Sequence, residues 1–301
     1  MTINEPATPG AGAAEKSEPP ATEAGRSAAE ATGTGGIETL PFDTTVANQA
    51  RLYDYFLGGK DNYAVDRAAG EAFLKVNPDT VFTVRENRAF LGRAVRFLAA
   101  DAGIRQFLDI GTGIPTAGNT HHVAQSIAPD ARVVYVDYDP IVLAHARALL
   151  TTSGTGETAY IHADLRDTGM VLDKARELLD FTKPVAITLI AILHAIPDTD
   201  DPHAIVARLV DAVPTGSYLT VSHLGSDLVP PETLQEMKDF EARSAAQQQF
   251  TYRTSAEVAR FFEGTDLVPP GLVPLEKWRP DPGAVATGKS FIYAATGRKN
   301  S

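Results

Sequence analysis

The sequence predicts an α/β protein built on a doubly wound, mostly parallel β-sheet. Short apolar segments typical of strands alternate with segments of helical periodicity, an order that favours a parallel sheet with helices on both faces. A glycine turn joins one of these strands to a helix after residue 110. A short link between the last two strand segments indicates an antiparallel hairpin. We therefore expect seven strands, five alternating with helices and two closing the chain.

Composition narrows the classes of protein to which the chain can belong. Its 301 residues, 44% of them hydrophobic, suffice for one sizeable core. The absence of cysteine excludes disulfides, thiolate catalysis and cysteine–zinc sites. A formal charge of −11 disfavours a broad nucleic-acid surface. No apolar run approaches the ~20 residues of a membrane span, and the N-terminus lacks a signal-peptide core, so we expect a cytoplasmic protein.

The chain divides into three predicted regions. Residues 1–40 are rich in Ala, Gly, Glu, Pro and Thr and contain no aromatic residue, a composition typical of a disordered tail. Residues 41–103 hold helical segments that we interpret as an N-terminal cap or lid. Tyrosines and charged residues are dense there, so this region either packs as a plain helical hairpin or covers a ligand. Residues 104–301 contain the predicted sheet.

The glycine turn predicts a nucleotide site. Gly111 and Gly113 follow a buried strand, and glycines there allow a sharp bend and a close approach of the backbone to a ligand. The next strand ends at Asp137, 24 positions after Gly113. A carboxylate near this spacing accepts hydrogen bonds from ribose hydroxyls. Strand, turn, helix and acid together form the pattern of a nucleotide-binding βαβ unit.

Two features bear on which nucleotide binds. Pro115 stands just before the place where a dinucleotide fingerprint has its third glycine, which weakens the NAD or FAD interpretation. Asp109 adds a negative charge beside the turn that would attract an ammonium group. S-adenosylmethionine has an adenosine, an ammonium and a sulfonium but no phosphate, and we predict it as the ligand. An NAD-dependent oxidoreductase is the alternative, although many dehydrogenase sheets lack the closing hairpin.

Polar residues also follow the third and fourth predicted strands. Asp164 is expected to accept a hydrogen bond from the adenine amino group. His194 is a candidate general base or substrate contact, and a buried histidine satisfied by backbone groups is at least as good an interpretation. A metal site built from His194 and nearby acids is disfavoured, because Asp200 or Asp201 more simply caps the following helix. We predict no metal.

Three motifs together resemble a known family. They are Phe-Leu-Asp-Ile-Gly-Thr-Gly-Ile-Pro-Thr, Val-Val-Tyr-Val-Asp-Tyr-Asp-Pro and Tyr-Asp-Tyr-Phe-Leu-Gly-Gly-Lys-Asp-Asn-Tyr. The chain from about Thr44 to Gly297 resembles the actinobacterial S-adenosylmethionine-dependent methyltransferase family long known as a domain of unknown function. The resemblance implies a class I methyltransferase fold whose seventh strand is antiparallel to the rest.

The resemblance also implies a set of cofactor-binding residues. Asp109, Gly111 and Gly113 are expected to face the methionine part, Asp137 the ribose and Asp164 the adenine. The segment from Arg85 to Arg88, which includes Asn87, resembles an arginine segment of leucine carboxyl methyltransferase-like enzymes that serves the ligand carboxylate. On this basis the predicted cofactor set also includes Arg85, together with Thr116, Tyr138 and Leu165.

The leading hypothesis is methyl transfer from S-adenosylmethionine to a small-molecule acceptor that the family does not specify. Such a displacement needs alignment and desolvation more than an elaborate catalytic set. If the acceptor is a hydroxyl or an amine, a base helps, and the candidates in falling order are His194, Tyr63 and His223. A second hypothesis is a protein that senses S-adenosylmethionine and transfers nothing, because the sequence contains no unambiguous base.

Overall fold

The computed structural model describes residues 43–115, 118–149, 156–244 and 249–300. The predicted disordered tail lies outside them. Within this part of the chain, eight strands form one sheet. The strands are β1 (Gln106–Ile110), β2 (Arg132–Asp137), β3 (Thr158–His162), β4 (Ala186–Ile190), β5 (Tyr218–Leu224), β6 (Thr265–Leu267), β7 (Val273–Pro274) and β8 (Ile292–Lys299).

Helices precede the sheet and connect its strands. Three of them come before β1, in the region predicted as a cap or lid, and the others follow individual strands. The helices are α1 (Gln49–Leu57), α2 (Ala64–Val76), α3 (Thr80–Ala100), α4 (Thr120–Ile127), α5 (Pro140–Leu149), α6 (Thr168–Ala175), α7 (Pro202–Asp211), α8 (Pro231–Arg243) and α9 (Ser255–Ala259).

The strand order is β3-β2-β1-β4-β5-β8-β6, with β7 paired to β8 outside this path. Strands β1 to β5 pair in parallel, and β8 runs antiparallel to both β5 and β6. The predicted class I methyltransferase fold is therefore confirmed. The sheet has eight strands rather than seven, because the first of the two closing strands expected from the sequence is divided into β6 and β7. Pro269 and Pro270 lie between them, and proline has no amide hydrogen for a sheet ladder.

Both faces of the parallel strands are buried. Leu108 and Val134 belong to one core together with residues of α6 and α7. Their neighbours Phe107 and Val133 belong to another core with residues of α3 and α4. Successive side chains of a strand point to opposite faces, so the near-continuous apolar runs of these strands match helices on both sides.

Helices α1 and α2 are joined by a buried ion pair. Arg51 Nε donates to Asp66 Oδ2 at 2.7 Å, and both side chains are almost fully buried. Helix α1 ends at Gly58, whose φ of 82° lies in the left-handed region that glycine adopts at low cost. An isolated charge buried here would be costly, so the pair fixes the packing of the two helices against each other.

Candidate active site

A cavity lies at the carboxyl ends of the parallel strands. Strand order reverses between β1 and β4, and ligands of open α/β sheets bind at such a reversal. The cavity has a volume of about 210 Å³ and is lined by the residues that follow β1 to β4, by α3 and by α1. It therefore lies where the sequence predicts the nucleotide.

The glycine turn and the acid at the end of β2 are in direct contact. Gly113 N–H donates to Asp137 Oδ2 at 2.9 Å, and Gly111 N–H donates to Val136 O at 2.8 Å. Both glycines have positive φ, 78° at Gly111 and 61° at Gly113. A Cβ on Gly111 would lie only 2.6 Å from Ile192 Cγ1, whereas one on Gly113 would meet no atom of the described residues within 4 Å. The turn thus needs glycine at position 111 for space as well as for conformation.

Asp137 is held by backbone groups on both oxygens. Its Oδ1 accepts from Asp139 N–H at 2.9 Å, while Oδ2 accepts from Gly113. Burial raises the pKa of Asp137, and these two hydrogen bonds oppose that shift. The carboxylate lines the cavity in a fixed orientation with lone pairs left over. It can therefore accept hydrogen bonds from the hydroxyls of a ribose.

Asp109 is held by side chains instead. Thr120 Oγ1 donates to its Oδ2 at 2.6 Å and Thr188 Oγ1 to its Oδ1 at 2.7 Å. Burial raises the pKa of Asp109, and the two hydroxyls and the charge of Arg88 act in the opposite direction. The ionised form of a buried carboxylate is stabilised by a cation, so this position fits the ammonium expected there.

The arginine segment of α3 contributes Arg88 and Asn87 to the cavity but not Arg85. Arg88 Nη2 donates to Asn119 Oδ1 at 2.5 Å. Arg85 is exposed, because the buried face of α3 runs through Val84 and Asn87. Arg85, the position chosen from the sequence, therefore lies away from the cavity, whereas Arg88, one helical turn later in the same segment, lines it.

Three residues of the predicted cofactor set lie together, among them Asp164, which is expected to contact the adenine. Tyr138, Asp164 and Leu165 all line the cavity. Arg166, which the sequence analysis did not single out, donates to both oxygens of Asp164 and also to Asp200 Oδ2 at 3.2 Å. The hydrogen bonds from Arg166 lower the pKa of Asp164. An adenine amino group would share this carboxylate with Arg166.

A series of hydrogen-bonded side chains was not predicted from the sequence. It lies on the side of the cavity formed by α1 and α3, here called the helical side. Asn87 Nδ2 donates to Tyr53 Oη at 2.9 Å, and Ser222 Oγ donates to Asn87 Oδ1 at 2.7 Å. Tyr53 and Asn87 line the cavity. Burial raises the pKa of Tyr53, so its hydroxyl stays protonated at neutral pH. In the sequence, Tyr53 belongs to the tyrosine-rich motif and Asn87 to the arginine segment, but no spacing connects the two.

None of the three candidate bases lines the cavity in the described part of the chain. Tyr63 is 38% exposed at the start of α2. His223 is fully buried, and Arg253 donates to its Nε2 at 2.6 Å while its Nδ1 donates to Leu224 O. Burial lowers the pKa of His223 to about 3. With both ring nitrogens engaged, His223 cannot take a proton from an acceptor without breaking these bonds.

His194 is placed differently from the other two. It immediately precedes Ala195, a cavity residue, and its ring packs edge-on against Phe250, another cavity residue, at 4.9 Å between centroids. Its Nδ1 is buried and has no hydrogen-bond partner among the described residues. Burial lowers the pKa of His194 well below its usual range, so the ring is neutral at pH 7. It lies behind the cavity wall rather than in it.

Thr116, predicted in the cofactor set, lies outside the described residues. Among the residues that are described, no three His, Asp or Glu side chains come together in a way that could hold a metal ion. The helices described are all too short or too polar to cross a membrane.

These features define a class I methyltransferase: the parallel sheet, the antiparallel strand β8 and the glycine turn that is hydrogen-bonded to Asp137. The chain belongs to the S-adenosyl methyltransferase family, whose model matches residues 37–300. A DUF574 family protein from Streptomyces avermitilis is 46% identical, with a TM-score of 0.81, over 85% of this chain and 99% of that one.

A second solved structure, from Thermobifida fusca and provisionally described as a methyltransferase, is 40% identical. Its TM-score is 0.79, over 86% of this chain and 97% of that one. No curated protein matches the chain. The protein is thus an S-adenosylmethionine-dependent methyltransferase with S-adenosylmethionine as its cofactor.

Proposed function

We propose that this methyltransferase acts on a small molecule. The observation that supports the proposal is the covering of the cavity by α1, which supplies five lining residues opposite the strand ends. S-adenosylmethionine would fill part of this cavity of about 210 Å³, so the acceptor would reach the methyl group in the space left between these elements. A small acceptor can enter such a space whole, whereas a protein or nucleic-acid chain would have to thread into it.

The chain's own residues divide the cavity between two tasks. S-adenosylmethionine supplies a methyl carbon activated by the sulfonium. In this proposal Asp137 holds the ribose, Asp109 the ammonium and Arg88 the carboxylate. Tyr53 and Asn87 offer hydrogen bonds to an acceptor, and Phe250 provides an apolar wall. Methyl transfer gains most from such alignment and from exclusion of water.

His194 stays our candidate for the base that takes the acceptor's proton. No described residue hydrogen-bonds Nδ1 of its neutral ring, but the Phe250 ring packs against it. A base in this position acts only when the wall around Phe250 shifts. If His194 is the base, His194→Ala lowers the turnover number by about 100-fold and His194→Gln does the same. Undiminished turnover in both variants would remove His194 from the role.

Labelled transfer tests the class of acceptor. The protein is incubated with S-adenosylmethionine carrying a tritiated methyl group and an extract of Streptomyces avermitilis, which contains a 46% identical relative. We expect label in the small-molecule filtrate. Label confined to the protein or nucleic-acid fraction contradicts the proposal. Asp137→Ala serves as the control that removes the predicted ribose contact.

A further inference from the structure

A hydrogen bond crosses from the start of α1 to the edge of the cofactor site. Asn48 caps α1, because its Oδ1 accepts from the N–H groups of Ala50 and Arg51 at 2.9 and 3.2 Å. Its Nδ2 donates to Asp139 Oδ2 at 2.9 Å, across 91 positions of sequence. The orientation of the amide follows from these partners, since the helix start offers only donors and the carboxylate only accepts.

Asp139 passes this contact on to the predicted ribose site. Its Oδ1 accepts from Ile141 N–H at 2.8 Å and so caps α5. Its own N–H donates to Asp137 Oδ1, and Asp137 Oδ2 accepts from Gly113 N–H, both at 2.9 Å. The start of α1, the start of α5 and the glycine turn therefore share one continuous hydrogen-bond network.

Helix α1 is a wall of the cavity. Five of its nine residues line it: Gln49, Ala50, Tyr53, Asp54 and Leu57. Helix α2 is tied to the same end of α1, because Asn48 N–H donates to Asp66 Oδ1 at 2.9 Å and Asp66 also pairs with Arg51. The two helices are thus joined to each other at the residue that contacts Asp139.

We infer that the Asn48–Asp139 hydrogen bond is a latch that holds the α1–α2 pair closed over S-adenosylmethionine. Asn48 is then a positioning residue, because it reaches the cofactor only through Asp139 and Asp137. The latch governs how fast cofactor and product leave the site. The inference concerns cofactor retention alone, so it stands or falls independently of the proposed acceptor class.

Exchanging the two side chains tests the latch. Asn48→Asp keeps a cap on α1 but places a second carboxylate against Asp139, and we expect about tenfold faster release of S-adenosylhomocysteine. Asp139→Asn keeps a cap on α5 but turns a donor toward the Asn48 donor, with an effect in the same direction. The double variant, Asn48→Asp with Asp139→Asn, restores donor and acceptor at unchanged net charge. Its release rate is expected within about twofold of wild type.

A matched control lies at the other end of α1. Asn62→Ala removes the bonds from Asn62 Nδ2 to Asp54 Oδ2 at 2.8 Å and to Gly59 O at 3.1 Å, and the bond that Asn62 Oδ1 accepts from Arg67 Nη1 at 3.1 Å. All three stay within the helical region, so release should change less than about twofold. Release is followed by stopped-flow displacement, and thermal melting without ligand reports folding separately.

Three outcomes overturn the latch: single variants that release like wild type, a double variant whose defect is the sum of the single defects, or an equal effect of Asn62→Ala. If a single variant does not fold, the double variant decides. A wild-type release rate in it supports the latch, and faster release overturns the latch.

Discussion

The strand-end side and the helical side of the cavity hold their polar groups in different ways. On the strand-end side, Asp137 is fixed by backbone N–H groups of one βαβ unit, at most 24 positions away. On the helical side, Asn87 joins Tyr53 and Ser222, which are 34 and 135 positions away. The first arrangement depends on local backbone geometry and the second on the packing of distant elements. We therefore expect substitutions on the two sides to separate cofactor binding from turnover.

The largest effect is expected at the glycine turn. Gly111→Ala places a Cβ 2.6 Å from Ile192 Cγ1 at a φ of 78°, and we expect it to lower the free energy of unfolding by about 3 kcal/mol. Gly113→Ala meets only the conformational cost, about 1 kcal/mol. Urea unfolding of both variants measures the difference. Equal losses would show that Ile192 yields freely.

Asp137→Ala should come next. It removes the acceptor of two backbone hydrogen bonds and the predicted ribose contact, so we expect the dissociation constant of S-adenosylhomocysteine to rise about 100-fold. Asp137→Asn, which keeps one acceptor oxygen, should lose less. Calorimetry measures both. A change below threefold for Asp137→Ala would mean that the ribose is held elsewhere.

Tyr53→Phe should affect turnover instead. Losing the hydroxyl leaves Asn87 Nδ2 without its acceptor, and we expect the rate of label transfer to the small-molecule filtrate to fall about tenfold. Affinity for S-adenosylhomocysteine should stay within twofold. Tyr55→Phe, the same change on the same helix but outside the cavity lining, is the control. Equal losses of cofactor affinity and of transfer rate would show that the two sides of the cavity do not act separately.

The smallest effect is a pH dependence of stability. Burial lowers the pKa of His223 to about 3, so the folded protein keeps it neutral while the unfolded chain takes up a proton near pH 6.5. The contribution of neutral His223 to the free energy of unfolding is complete above pH 6.5 and is lost as pH falls toward 3. Between pH 7.5 and 5.5 the loss is about 1 kcal/mol. In His223→Gln, the free energy of unfolding lost between these two pH values should be smaller by about 1 kcal/mol. An unchanged pH profile would contradict the lowered pKa of His223.

The sequence predicts the fold and the strand-end side of the site better than any other feature. Apolar periodicity predicted the alternating strands and helices, and the spacing of Gly113 and Asp137 predicted two groups that the structure joins at 2.9 Å. Both signals are short-range. A glycine turn and the end of the adjacent parallel strand meet at one sheet edge whatever surrounds them.

Which side chains are buried, and toward which partners they point, could be determined only from the tertiary structure. Nothing in the spacing of Arg85 and Arg88 distinguishes them, yet only Arg88 lines the cavity. His223 lies near the end of a strand, as an active-site base would, but Arg253 donates a hydrogen bond to its Nε2. Asn48 reaches Asp139 over 91 positions. Chain connectivity sets where a strand or turn ends, whereas exposure and partners of a side chain depend on packing between segments that the covalent chain leaves far apart.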